Sequence, residues 1–171
     1  KVPLEFCVAL SNGWYEDDQR ALADRFPLRY VSSYIAEKGS RFSMWRDRVN
    51  SATCDIDDID ITDEELEAVH KMWSQVEVSD GSFEVLNVIC EEFKKEGLQP
   101  SDRLTNYCID LIRAEALLNG RTSVETEDFA ILQHVLWQEP DAKEINKAKQ
   151  IVLRVATPMM DDINTAVDSA K

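Results

Sequence analysis

"SDRLTNYCIDLIRAEALLNG", residues 101–120, carries a helix pattern with a candidate cap at each end. Ser101 belongs to the residue types that cap helix N-termini, and Gly120 is the type that most often follows a helix end. Between them, apolar side chains recur at helical spacing: Leu104, Cys108, Leu111, Ile112 and Leu118. The stretch therefore predicts a capped amphipathic helix that buries one face against other helices.

Helical signals continue upstream of this segment. Residues 80–97 carry apolar side chains at helical spacing, and Gly97 is the expected C-cap. Thr62 and Glu65 have the spacing of a capping box, which predicts a helix start there. Ser40 is the expected N-cap of an earlier helix.

Two more helices are expected downstream. One is capped by Thr126 and closed by Pro140, and the last covers roughly 142–156. Together with the upstream helices, they predict an all-helical domain over 39–157, followed by a tail over 158–171.

The first 38 residues differ from the rest. Residues 2–10 alternate between apolar and other side chains, which predicts a strand. A short helix follows and is stopped by Pro27, and residues 28–35 are again β-like. We therefore expect a mostly α chain in which the tail of an α/β sheet precedes the helical domain, with the boundary near residues 37–40.

Charge and cysteine usage exclude several function classes. The net charge is −14, with 33 acidic and 19 basic residues, which disfavours nucleic acid as a partner. No apolar run reaches the length of a membrane span. The acidic run at 55–65 lacks the glycine and the final glutamate of an EF-hand loop, and no metal site is expected. The cysteines form no CxxC pair, which favours free thiols in a reducing cytoplasm: Cys7, Cys54, Cys90 and Cys108.

Three polar stretches remain: "ALSNGW" at 9–14, "ALADRFPLR" at 21–29 and "PSDRLTN" at 100–106. Each has an ordinary structural interpretation, such as a turn or a helix cap. Arg103 is the least ordinary feature, because a helix N-terminus already carries partial positive charge. A nearby anion would explain a cation at that position.

In this order and spacing, the three stretches resemble the MoxR-type AAA+ ATPases. Residues 8–35 are similar to the sensor-1 strand and arginine-finger region of that family, where the pattern runs approximately "ASN-x-x-P-E… ALxDRFLLR". The later landmarks "SDR…NGR…V…D…L…LW" are most similar to the RavA branch. The resemblance covers roughly residues 2–155 and implies a P-loop α/β AAA+ domain ending near residue 38, followed by the AAA+ helical lid.

The resemblance implies a role for three residues. Asn12 matches the sensor-1 residue that orients the attacking water, and Arg25 matches the finger that reaches a neighbouring subunit's nucleotide. Arg103 matches the sensor-2 arginine, which contacts the phosphates bound to its own subunit. Such polar groups and cations stabilise the charge that develops during phosphoryl transfer. Arg29 is the reserve candidate for the finger, although we expect it to pair with an acidic neighbour.

The sequence departs from the family pattern in places. Gly13 and Trp14 stand where the family often has a proline nearby, and Leu104 stands where the RavA branch commonly has a second arginine. No GxxxxGK[ST] or Walker B motif occurs in the sequence. We therefore expect residue 1 to lie inside a larger protein, whose upstream part holds most of the ATP and Mg²⁺ contacts. The chain alone should not hydrolyse ATP.

For the full protein, the resemblance implies a ring, hexameric in this family, that couples ATP hydrolysis to chaperone-like remodelling of a protein client. A von Willebrand factor A domain protein is the client class that it implies. The alternative interpretation is an acidic helical adaptor for protein interactions, in which the arginines have structural roles only.

Overall fold

The computed structural model of the chain describes residues 7–11, 20–50 and 61–157. Within these ranges the chain is mostly helical, which confirms the predicted class. There are six α-helices and one 3₁₀ helix in these ranges: α1 Arg20–Ala23, α2 Lys38–Asn50, α3 Asp63–Ser74, α4 Asp80–Lys95, α5 Asp102–Leu118, the 3₁₀ helix Thr126–His134 and α6 Ala142–Ala156. The described residues contain no strand, and one isolated parallel bridge joins Glu77 to Ser123.

The chain divides into two compact units. The first unit contains residues 1–29 and 72–171, and the second contains residues 30–71. In the first unit, α4, α5, α6 and the 3₁₀ helix enclose one apolar core: Leu86, Ile89, Phe93, Leu104, Cys108, Ile112, Phe129, Leu132, Val135, Leu136, Trp137, Ala148, Ile151, Val152 and Ala156. The predicted boundary near residues 37–40 between an α/β domain and a lid stays a prediction.

Helix α5 has the ends that its sequence predicts. The Ser101 hydroxyl accepts a hydrogen bond from the Leu104 amide at 3.2 Å, as an N-cap does. Gly120 has a φ of +74°, the left-handed conformation that favours glycine after a helix. The predicted apolar stripe is buried at Leu104, Cys108 and Ile112. Leu118 is wrong as a core residue: it is 83% exposed, because Ala116, which is completely buried, is the side chain of the last turn that faces the core.

Helix α4 is bounded in the same way. The Ser79 hydroxyl accepts from the Ser82 amide at 3.2 Å, and Gly97 has a φ of +78°. The predicted stop at Gly97 is therefore confirmed. Helix α6, Ala142–Ala156, agrees with the expected range of 142–156.

The helix expected between Thr126 and Pro140 was predicted wrongly in type and bounds. It is a 3₁₀ helix that ends at His134, and Glu125 is its N-cap, in a capping box with Asp128. Residues 135–137 follow the helix and are all buried. Three consecutive side chains of a regular helix point in different directions, so the chain leaves the helix in order to bury all three.

The second unit is helical but poor in buried residues. Thr62 and Glu65 form the predicted capping box, with the Thr62 amide donating to the Glu65 carboxylate at 2.9 Å. Ser40 is wrong as an N-cap, since α2 begins at Lys38 and the Ser40 hydroxyl donates to the Glu37 carboxylate at 3.2 Å.

The β-like segment at 28–35 is not a strand, which corrects that expectation. A strand needs a neighbour for its backbone hydrogen bonds, and no described segment supplies one. The Arg29 amide instead donates to the His134 carbonyl at 2.9 Å, at the end of the 3₁₀ helix. The strand predicted over 2–10 lies partly outside the described residues, and residues 7–11 have no regular structure.

Candidate functional site

Hydrogen bonds of the Arg29 side chain attach the segment "ALADRFPLR" to the rest of the first unit. The Arg29 side chain is only 6% exposed, and one of its nitrogens donates to the Trp137 carbonyl at 2.7 Å. A second donates to the Asp24 carboxylate at 3.1 Å, and the third donates to the Phe26 carbonyl at 3.3 Å. This confirms that Arg29 pairs with an acidic neighbour. A buried arginine needs such partners, because an unpaired buried charge is strongly destabilising.

Asp24 connects this segment to helix α5. While one carboxylate oxygen accepts from Arg29, the other accepts from the Ser101 hydroxyl at 2.6 Å, across 77 positions of sequence. Ser101 also caps α5 through the Leu104 amide, so its hydroxyl acts as donor and acceptor at once. The short distance is typical of a hydrogen bond to a charged acceptor.

Two of the three predicted site residues flank this hydrogen bond. Arg25 directly follows Asp24 and lies in a turn, where the Arg25 backbone amide donates to the Leu22 carbonyl at 3.0 Å. Arg103 is the second residue of α5, two positions after Ser101. Both arginine side chains are exposed. The predicted sensor-1 residue, Asn12, lies outside the described residues.

Two exposed cations beside a helix N-terminus are suited to an anion. The first turn of α5 adds its own partial positive charge, so phosphate oxygens are the ligand type that fits this electrostatic field. Asp102 is the acidic residue in the same first turn, and it limits the net positive charge.

Sequence reasoning did not find Asp24 and Ser101 as a linked pair. Arg29 lies five residues after Asp24, which indicated a local ion pair, but nothing in the sequence indicates that residues 24 and 101 meet. The contact between Arg29 and Trp137 could not be predicted either. It is made by the backbone carbonyl of Trp137, and every residue type has such a carbonyl.

The other landmarks of the resemblance have structural partners. Arg121 pairs with Asp128, whose side chain is fully buried, and Asp128 also accepts from the Glu125 amide at 2.8 Å. The Arg121 side chain is 25% exposed, and its Nε lies 3.8 Å from the Glu125 carboxylate. These residues therefore fix the turn between α5 and the 3₁₀ helix.

The thiols of Cys90 and Cys108, which pack in or against the core, are not activated as nucleophiles. Burial raises the pKa of the Cys108 thiol to about 12, and the neighbouring Cys90 adds to this. Burial also raises the pKa of Cys90, with a smaller effect from Glu91. Both stay protonated near neutral pH, and a protonated thiol is a poor nucleophile and metal ligand.

Across residues 7–11, 20–50 and 61–157, no cluster of histidine, cysteine, aspartate or glutamate has an arrangement that holds a metal ion. In the same part of the chain, the helices are all too short or too polar to cross a membrane.

Comparison with known proteins gives two findings. Residues 82–152, from the first turn of α4 into α6, match the family model of the AAA lid domain. The chain is also 29% identical over 147 residues to an uncharacterized protein of Methanocaldococcus jannaschii. That alignment covers 82% of the chain but 37% of the relative's length. The family match supports an AAA+ lid domain in the segment that it covers.

Proposed function

We propose that the chain supplies the sensor-1, arginine-finger and sensor-2 residues of a MoxR-type AAA+ ATPase of the RavA branch. Asn12 would orient the attacking water, Arg25 would reach the neighbouring subunit's nucleotide, and Arg103 would contact the phosphates in its own subunit. ATP and Mg²⁺ would be held mainly by a P-loop and acidic residues that this sequence lacks. The assembled protein is a ring that couples hydrolysis to remodelling of a protein client.

The observation that carries this proposal is the hydrogen bond between Asp24 and Ser101, because exposed Arg25 directly follows Asp24 in the chain and exposed Arg103 lies two residues after Ser101. The match to the AAA lid domain supports the assignment of α5, since Arg103 lies inside residues 82–152. The burial of Arg29 favours Arg25 as the finger, because a finger must leave its own subunit.

The test uses the full-length assembled protein. Arg25→Ala is expected to lower the rate of ATP hydrolysis by about 10³-fold or more, since fingers contribute on that order. Nucleotide binding should stay nearly intact in that variant. Arg103→Ala should weaken nucleotide binding or hydrolysis. Arg154→Ala, another exposed arginine of the first unit, is the control and should leave hydrolysis unchanged. Normal hydrolysis by Arg25→Ala rings would contradict the proposal.

Mixed rings separate action between subunits from action within one. A mixed ring contains Arg25→Ala subunits, which still have Arg103, and Arg103→Ala subunits, which still have Arg25. A nucleotide site has both arginines when an Arg25→Ala subunit binds the nucleotide and its Arg103→Ala neighbour supplies the finger. In an equal random mixture, about a quarter of the sites are then complete, because a ring uses one head-to-tail interface throughout. Recovered hydrolysis supports the finger in trans. No recovery would place both arginines in one site of one subunit.

The client class is a separate proposal, which rests on the resemblance. A purified von Willebrand factor A domain protein that functions with the ring should change its hydrolysis rate when added. A rate that is unchanged over a full titration of that protein argues against it as the client.

A further inference from the structure

The Asp24 carboxylate bridges two anchored elements. Its two oxygens accept from Arg29 at 3.1 Å and from Ser101 at 2.6 Å. The side chain is only 17% exposed, so little water competes for these bonds. Hydrogen bonds to an ionised acceptor are about twice as strong as neutral ones. The Asp24 carboxylate is therefore bound firmly to both Arg29 and Ser101.

Neither partner of Asp24 moves easily. Arg29 is fixed by the Trp137 carbonyl, and its backbone amide is bonded to the His134 carbonyl. Ser101 is fixed by its role as the N-cap of α5. The segment before Pro27 and the start of α5 consequently share one rigid attachment within the first unit.

This attachment lies next to both proposed cations. Arg25 is joined to Asp24 by one peptide bond, and Arg103 follows Ser101 by two residues. A shift of the first turn of α5 therefore changes the position of Arg25 unless the hydrogen bond breaks. The reverse holds for a shift of the segment before Pro27.

We propose that Asp24 is a positioning residue that couples the arginine finger to the sensor-2 helix. The inference rests on the proposed function and extends it. When Arg103 responds to the nucleotide of its own subunit, the Asp24–Ser101 hydrogen bond passes the displacement to Arg25, which acts on the next subunit. Each subunit's nucleotide thus influences hydrolysis by its neighbour, which is a coupling between two distinct sites.

Ser101→Asp is the most direct test in the full-length ring. Aspartate caps a helix about as well as serine, so α5 keeps its N-cap. The new carboxylate faces that of Asp24, however, and like charges repel, so the link is lost. We expect the turnover rate to fall by about 10- to 100-fold, since displacement of a catalytic group by about 1 Å has effects of that size. The Hill coefficient for ATP should also fall towards one.

Ser79→Asp is the matched control. Ser79 caps α4 with nearly the same geometry, but its hydroxyl bonds to Ser82 and not to the arginine segment. This variant should retain both the turnover rate and the Hill coefficient. Sedimentation of each variant with nucleotide checks that rings have formed.

Asp24→Asn is the second variant, for use where Ser101→Asp rings do not assemble. It retains the shape of the side chain but removes the charge that Arg29 and Ser101 share. It should lower the turnover rate and the Hill coefficient in the same direction. A turnover rate within two-fold of wild type, or a lowered rate with an unchanged Hill coefficient, would overturn the coupling.

The outcomes separate this inference from the function on which it rests. If Arg25→Ala and Arg103→Ala both lose activity while Ser101→Asp behaves as wild type, only the coupling is wrong. If the two alanine variants keep normal activity, the proposed function itself is wrong, and the coupling falls with it.

Discussion

The two units differ in whether they bury large apolar side chains in a core. In the first unit, the largest core side chains, such as Phe93 and Phe129, are almost completely buried. In the second unit, Tyr34 is fully exposed and Trp45 is 54% exposed. Helix α3 has no buried residue, although its last turn belongs to the first unit. Helix formation and core formation are therefore separate properties of this chain.

The difference lies in what stabilises each helix. Helix α3 begins with a capping box and three acidic residues, and it has Lys71 in its last turn, which complements the helix dipole. Such local effects contribute only a few tenths to about 1 kcal/mol each. A buried aromatic side chain contributes several times more. We therefore expect substitutions in the two units to differ strongly in their effects.

The largest expected effect is that of Phe93→Ala. This side chain is completely buried, so its removal should lower the free energy of unfolding by about 3–5 kcal/mol. The matched change in the second unit is Trp45→Ala, which removes a larger but half-exposed side chain. It should cost less, about 1–2 kcal/mol, because about half of its surface is already in water. Urea unfolding of the chain followed by circular dichroism measures both, and equal losses would contradict the comparison.

Asp128→Ala should have the next largest effect. It leaves the partly buried Arg121 without its partner and the Glu125 amide without an acceptor. We expect a loss of about 2–3 kcal/mol, less than for a fully buried pair because Arg121 retains some exposure. Glu91→Ala is the control: its contact with Lys94 is exposed and 3.9 Å long, and its loss should cost less than about 0.5 kcal/mol. If both variants unfold at the wild-type urea concentration, Asp128 has no structural role.

Most local signals in the sequence were correct, although Ser40 and Thr126 are not the N-caps that were predicted. The capping box at Thr62, the cap at Ser101 and the stops at Gly97 and Gly120 all follow from hydrogen bonds and dihedral angles within one turn. The 3₁₀ helix was missed because its end depends on the burial of residues 135–137, which only the packed core decides.

The candidate site divides in the same way. Arg25 and Arg103 were identified as candidates from motifs, and the Arg29 ion pair from a nearby acidic residue. The Asp24–Ser101 hydrogen bond joins positions 77 residues apart, and no periodicity or cap encodes such a contact. Long-range polar pairs of this kind depend on the fold as a whole.

Glycine substitutions near a helix end should have opposite effects on stability in the two units. Gly120→Ala in the first unit forces a side chain into a φ of +74°, which should cost about 1–2 kcal/mol. Gly39→Ala in α2 meets only the Glu37 carboxylate at 3.9 Å and has an ordinary φ, so it should stabilise the helix by about 0.5–1 kcal/mol. Hydrogen exchange of amides in α2 and α5 measures the local effects. Destabilisation of α2 by Gly39→Ala would contradict the expected difference.

The smallest effect should come from charges on the surface of the first unit. Glu92 binds Lys95 at 2.5 Å and Arg154 at 2.6 Å, which joins α4 to α6. The hydrogen bond from Lys95 is the main cause of a lowered pKa of Glu92, and the charges of Lys95 and Arg154 add to it. Because the folded pKa is the lower one, this stabilisation is present at neutral pH and is lost as the pH falls below 4.5 and through the folded pKa. Glu92→Gln should therefore be slightly less stable than wild type at pH 7, and the difference should shrink as the pH falls below 4.5, as followed by urea unfolding at each pH. A difference that stays constant across this range would mean that Glu92 acts through packing of its chain and not through its charge, and the apolar core alone would then account for the stability of the first unit.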